Sequence, residues 1–315
     1  MIEGVIYTLC SAASFGLNGV ATRRALVKIA ASLGLYVTVL AGVPLFLIAA
    51  LATGQLWGAE RIRPEGYWLL AGAGVIHFLF GRYCNYRAVA AIGANRTTPI
   101  QALNSVYSVA VAVVFLGETI TWQTAIGIAC VMVGPALIGA GSATKRPPKP
   151  AQSPSLGAAA ARAEAPPTKL AEGYIFGILS AILYGTSPIL ISAGLKGSGG
   201  LGILGGLISY AAAAAILLAY LPFNSSRGEF RTLDRKGAGW FGLASLTVFS
   251  AQFFRYLALG VAPVTLVVPL SQMRPLFTVI FSLMFNRHLE SFAPPVLVGI
   301  AMSIIGALII GSGSG

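Results

Sequence analysis

Residues 86–118 recur at 256–288, and this repeat constrains the fold more than any other feature of the chain. At a shift of 170 positions, Tyr86, Ala88 and Pro99 meet Tyr256, Ala258 and Pro269. At a shift of 169, Gly4, Ser11, Ala12 and Gly16 meet Gly173, Ser180, Ala181 and Gly185, and Phe15 meets Tyr184. Ten apolar runs accompany the repeat, at 4–23, 33–53, 66–86, 96–116, 122–141, 173–195, 200–222, 238–259, 264–285 and 293–312. Each is about 20 residues long, the length an α-helix needs to cross a bilayer. Lipid offers the backbone no hydrogen bonds, so such runs must satisfy their own as helices. Five runs per half is an odd number, so the second half must enter the membrane from the opposite side. The expected fold is an all-α membrane protein of ten transmembrane helices, arranged as two inverted five-helix repeats. The first repeat spans 1–141 and the second 173–315, joined by a flexible Pro/Ala-rich linker at 142–172.

Composition agrees. The chain is 56% hydrophobic and 10% charged, with a mean hydropathy of +0.81. A soluble domain of this length needs more charge to cover its surface. The net charge of +12 forms no basic face, so nucleic acid is not an expected partner. The basic residues sit between the apolar runs instead. Loops after helices 1, 3, 5, 7 and 9 carry fifteen Lys and Arg, and loops after helices 2, 4, 6 and 8 carry three. By the positive-inside rule the linker faces the cytoplasm. Trp57, Trp68, Trp122 and Trp240 fall near the ends of runs, where an indole suits the headgroup layer. The N-terminus has no basic segment or cleavage site, so the first run reads as a retained helix. Cys10, Cys84 and Cys130 lie inside apolar runs without a CxxC pair and read as small buried hydrophobes.

A charged side chain inside a bilayer costs several kcal/mol unless it is paired or solvated. No acid falls at mid-membrane, which disfavours exchange of a proton for a cation at a buried carboxylate. The intramembrane charges are basic: Arg82, Arg255 and Arg274. A guanidinium fork suits a carboxylate or phosphate, and an anionic substrate would supply the missing counter-ion. Across the repeat, Asn18 pairs with Ser187, Arg82 with Gln252, Asn85 with Arg255, Gln101 with Ser271, and Asn104 with Arg274. Polarity is kept at all five pairs while residue type changes, which suggests a shared cavity holding an asymmetric ligand. These ten residues and Tyr184 are the candidate substrate site, with Arg274 the main anion contact. The alternatives are snorkelling to headgroups for Arg82 and Arg255, helix-end carbonyls freed by Pro275 or Pro269 for Arg274, and interhelical hydrogen bonds for Asn18, Gln101 and Asn104. His77 is a candidate proton carrier or a hydrogen-bonded packing residue. Gly202-xxx-Gly206 marks close helix packing, with dimerisation the other reading. No phosphate loop, metal-ligand cluster or nucleophile motif is present, so neither an enzyme nor a cofactor nor a metal site is expected.

The chain resembles the ten-helix, EamA-like branch of the drug/metabolite transporter superfamily over nearly its whole length. The resemblance is most specific from Ala94 through Pro99 to Phe115-Leu116-Gly117-Glu118-Thr119-Ile120-Thr121, then Gln123 and Gly127. In the second half Ala262, Pro269, Phe285, Gly299 and Gly306 fit, while Arg287-His288 replaces the Gly-Glu pair, a hallmark of the turn between helices 4 and 5. The resemblance implies alternating access about a cavity lined by helices 1, 3, 4, 6, 8 and 9, and often export of small metabolites. It also implies cytoplasmic termini in many members, against the charge count, and the side of the termini stays open. The expected function is a secondary transporter of a small polar metabolite bearing a carboxylate or phosphate, with export as the direction. The expected location is the cell membrane, multi-pass, of the bacterial inner type, as monomer or homodimer among membrane lipid. Export of a zwitterionic amino acid and movement of a lipid-linked phosphorylated head group are the alternatives.

Overall fold

The computed structural model describes residues 2–25, 31–92, 94–143, 167–220, 235–285 and 294–312. Every regular element among them is helical. The first half comprises α1 (Ile2–Ala25), α2 (Ala31–Ala52), α3 (Pro64–Val75), α4 (Arg82–Ile92), α5 (Ala94–Val111) and α6 (Trp122–Ala143). The second comprises α7 (Pro167–Leu195), α8 (Gly202–Tyr220), α9 (Arg235–Val261), α10 (Val264–Leu270), α11 (Arg274–Phe285) and α12 (Pro294–Ser312). A π-helical turn, Ile76–Gly81, joins α3 to α4, and a second, Ala112–Leu116, ends α5. A 3-10 turn, Ser271–Met273, joins α10 to α11. Five stretches among the described residues are long and apolar enough to cross a membrane: Leu35–Ala52, Leu170–Leu195, Gly202–Tyr220, Gly242–Val261 and Val264–Phe281, the last running through α10, the 3-10 turn and α11. Most of the expected linker, at 144–166, lies outside the described residues.

The halves pack by exchange. Helix α1 lies against α9 and α11, while α7 lies against α3, α4 and α5; α2 pairs with α8, and α6 with α12. Equivalent residues make equivalent contacts with the roles of the halves reversed. Ser11 donates through Oγ to the Ala251 carbonyl at 2.7 Å, and its mate Ser180 donates to the Gly81 carbonyl at 3.0 Å. Ser108 donates to the Gly185 carbonyl at 2.7 Å, and its mate Thr278 reaches the Gly16 carbonyl at 3.5 Å. Gly4 abuts Ala262 as Gly173 abuts Ile92, and Gly42 abuts Tyr210 as Gly206 abuts Phe46. Such reciprocity is what a two-fold relation between duplicated halves produces. It also accounts for the shared small residues at Gly4, Ser11 and Gly16: helices in lipid approach through small side chains and interhelical hydrogen bonds.

The Gly202-xxx-Gly206 pattern is consumed within the chain. Gly202 meets the Tyr256 carbonyl and Gly206 the Phe46 ring. Trp57, Trp68 and Trp122 are each about four-fifths exposed, as residues facing a headgroup layer would be; the Trp240 side chain lies outside the described set. Cys84 is buried, Cys10 and Cys130 are half-buried, and all three are free thiols.

Two side chains of the first half cap helices of the second. A helix start leaves N–H groups without intrahelical partners. Gln55 Oε1 accepts from the Ile203 and Leu204 N–H groups at 3.0 and 3.2 Å, at the start of α8. Glu118 accepts from Val264 N–H through Oε1 and from Thr265 N–H through Oε2, both at 2.8 Å. Pro263, at the N-cap of α10, provides no side-chain cap itself. Gly117 makes this reach possible, because its φ of 68° ends the preceding helix in the left-handed region that side chains disfavour. The Gly-Glu pair is therefore a clamp between the halves as well as a turn. Hydrogen bonds to a charged group contribute about 1.5–3 kcal/mol. Glu118→Ala is expected to lower the melting temperature in detergent, and Glu118→Gln, with one acceptor oxygen in place of two, to lower it less. Equal melting temperatures for the parent and Glu118→Ala would remove the clamp.

Candidate functional site

Two helices of the second half, α9 and α11, and the α3–α4 segment of the first bring basic groups to one place. His77 lies on the π-helical turn, where a wider turn displaces the side chain from ordinary helical register. The positive charges of Arg255, Arg82 and Arg274 all act on its ring. Arg255 Nη1 is 3.3 Å from His77 Nε2 and 3.5 Å from Nδ1. Gln252 Nε2 is 3.4 Å from His77 Nε2. The Tyr184 ring lies 4.9 Å from the imidazole, centroid to centroid. Tyr184 can come this close because Gly81 presents no side chain to it.

Each arginine is held differently. Arg82 donates to Thr38 Oγ1 at 3.3 Å and lies 5.8 Å from the Phe78 ring. Arg255 is 7% exposed, so it does not reach out to a headgroup layer. Arg274 sits 4.4 Å above the Phe15 ring, a cation–π distance. Its Nε donates to the Ser271 carbonyl at 3.2 Å. Pro275 has no N–H to offer that carbonyl, which accepts instead from the backbone N–H and the side chain of Arg274 itself. Among the described residues the two Nη nitrogens of Arg274 make no hydrogen bond.

No carboxylate among the described residues acts on any of the three arginines. Glu118 is engaged at the start of α10, and Glu172 pairs with Arg87 on the exposed surface between α4 and α7. The cluster thus presents donors and positive charge in excess of acceptors. Two buried atoms nearby in sequence also lack protein partners: Gln252 Oε1, in a residue 1% exposed, and Ser187 Oγ, in a residue fully buried. Such an arrangement can desolvate and orient an anion through charge-assisted, forked hydrogen bonds.

The other candidates are used between helices. Asn18 donates to the Ala244 carbonyl at 2.8 Å and to Thr247 Oγ1 at 3.1 Å, tying α1 to α9. Gln101 donates to the Gly177 carbonyl at 3.4 Å, tying α5 to α7. Asn104 Oδ1 accepts from Gln272 Nε2 at 3.1 Å and from Ser105 Oγ at 3.0 Å, tying α5 to the 3-10 turn. Ser271 Oγ turns back to the Val267 carbonyl at 2.6 Å. Asn85 lies three residues beyond Arg82, on the same face of α4. Sequence reasoning passed over Thr38, Phe15, Phe78 and Gln272. The repeat comparison selected intramembrane polar positions with polar mates, and none of these was among them. Gln272 had a usable signal, since it lies between Pro269 and Pro275, where a broken helix exposes backbone and polar groups together.

The model of the EamA-like transporter family matches residues 2–140 and 171–312. No curated protein matches the chain. Among solved structures, one crystal structure of 14% sequence identity superposes with a TM-score of 0.68 over 98% of this chain and 96% of the other. At that identity the likeness shows the fold alone.

Proposed function

Because the chain belongs to the EamA-like transporter family, a family of membrane transporters of small molecules, we propose that it is a secondary active transporter whose cargo carries a carboxylate or phosphate. Ten spans in two inverted five-helix repeats, 1–141 and 173–315, would rock about the arginine cluster in alternating access. Export from the cell across a bacterial inner membrane is the direction and location we assign. The observation that carries the cargo class is the convergence of Arg82, Arg255 and Arg274 on one histidine, with no carboxylate among the described residues to balance them. An anion completes the charge of such a site, whereas a cation would add to the repulsion.

Binding to the folded state raises its melting temperature by mass action, by about 2.7 kcal/mol of stability at a hundred times Kd. Carboxylates and phosphate esters are expected to raise the melting temperature of the purified protein, while quaternary amines leave it unchanged. Stabilisation by quaternary amines alone would end the anionic reading. A zwitterionic amino acid is a second reading, favoured by Ser187 Oγ, a buried hydroxyl that could accept from an ammonium group. It is distinguished by stabilisation with amino acids and none with simple dicarboxylates.

A further inference from the structure

His77 is the one group in the arginine cluster whose charge ordinarily changes near neutral pH. The groups around it come from every element packed there: Phe78 on its own turn, Arg82 from α4, Tyr184 from α7, Gln252 and Arg255 from α9, and Arg274 from α11. Tyr210 of α8 lies behind, with its ring 4.3 Å from Phe78. A guanidinium can only donate hydrogen bonds, so the Arg255 contact requires a lone pair on the imidazole. The buried Gln252 amide has its Nε2 toward His77 Nε2 and its Oε1 without a partner. The two ends of an amide are exchanged by a flip. Turned over, Oε1 accepts from Nε2–H, and Arg255 is left its longer contact, to the Nδ1 lone pair at 3.5 Å. One neutral tautomer thus gives both ring nitrogens of His77 a partner and gives Gln252 Oε1 a donor. A second proton would set N–H against the Arg255 donors and add a fourth positive charge to three.

An arriving anion reverses both conditions. It draws the Arg255 fork away from the ring, and it brings negative charge to the cluster. We propose that His77 is a proton-binding site loaded together with the anion: a divalent anion held by the arginines is taken up with one proton, which comes from solvent and bonds to Nδ1. This rests on the anion-binding reading of the same site and adds the coupling ion to it. The cycle then moves the anion and a proton in the same direction, so in export the outward gradient of the anion drives the cycle and carries a proton out with it.

The test is calorimetric titration of the full chain in detergent at pH 7.5 with sulfate and with succinate. Neither probe takes up protons itself at that pH. Each titration is run in Tris and in triethanolamine, cationic buffers with different heats of ionisation. The expected result is an apparent binding enthalpy that differs between buffers by about one proton per anion, with affinity falling as pH rises. His77→Gln should bind more weakly than the parent, with no buffer dependence. As a second measurement, His288→Gln leaves one histidine in the chain, and its imidazole resonance should move from the neutral to the protonated position on adding sulfate. Binding without proton uptake, proton uptake retained in His77→Gln, or an imidazole resonance that does not move would each overturn the proposal while leaving the anion site standing. If neither probe binds, the anion-site reading falls and this inference with it.

Discussion

Replacing Arg274 by alanine is expected to weaken anion binding by roughly 30-fold to several thousand-fold, the equivalent of about 2–5 kcal/mol for truncating one partner of a buried, hydrogen-bonded charge pair. The same variant should lose the anion-induced rise in melting temperature while keeping the parent's fold. Arg274 lies over Phe15 and is anchored through Nε to the Ser271 carbonyl, which Pro275 cannot reach as an i+4 donor and which Arg274 engages with both its backbone N–H and its side chain. Its two Nη nitrogens are thereby presented as a fixed fork. Lysine cannot reproduce this, because an ammonium is a compact charge with no plane to stack and no paired donors. Arg274→Lys should therefore fall nearer to Arg274→Ala than to the parent for carboxylates and phosphates. If Arg274→Lys binds a range of anions as the parent does, the fork has no role and Arg274 supplies charge alone. If Arg274→Ala binds unchanged, the residue serves only the broken helix around Pro275.

Gly74→Val is expected to abolish the folded protein in detergent, whereas Gly72→Ala, two residues away on α3, is expected to be neutral or stabilising. A side chain at Gly74 would run into the backbone of Ser209 on α8, while one at Gly72 would meet nothing within 4 Å. Backbone cannot rotate aside as a side chain can, so α3 and α8 must separate. That separation also breaks the hydrogen bond from Ser209 Oγ to the Leu70 carbonyl, 2.6 Å long. Overpacking alone typically costs about 1–3 kcal/mol, and the lost hydrogen bond adds about 1 kcal/mol. At Gly72 an added methyl instead removes glycine's conformational cost, about 0.5–1 kcal/mol in a helix. Size-exclusion chromatography and thermal melting of the two variants check this. A monodisperse Gly74→Val protein melting with the parent would mean that α3 and α8 do not pack as described.

The helical elements were legible because lipid allows so few alternatives. The runs at 4–23, 33–53 and 200–222 closely match α1, α2 and α8, since an apolar run of that length has to close its own hydrogen bonds. Interruptions were less legible. The run at 264–285 is divided by a 3-10 turn before Arg274, and the run at 66–86 by a π-helical turn carrying His77. Pro269 and Pro275 announce the first interruption, but no residue type announces the second. Resemblance pointed to Glu118 as part of a turn, yet its partners are Val264 and Thr265 in the other half, a pairing that nothing near Glu118 in the chain encodes.

Among the candidate site residues the same division holds. Duplication picked out positions where polarity is kept, and the order of the chain placed them on apolar helices. Sequence by itself determined which elements form, that they come twice, and that polar groups lie inside them, because local hydrogen bonding and apolar length decide those things. Only the tertiary structure decided which polar groups remain available. Asn18, Gln101 and Asn104 found partners on facing helices, whereas Arg82, Arg255, Arg274 and His77 were brought together with more donors than acceptors. The physical reason is that a polar group in lipid must be satisfied by something, and its partner is chosen by the neighbouring helix, which can lie more than a hundred residues away along the chain.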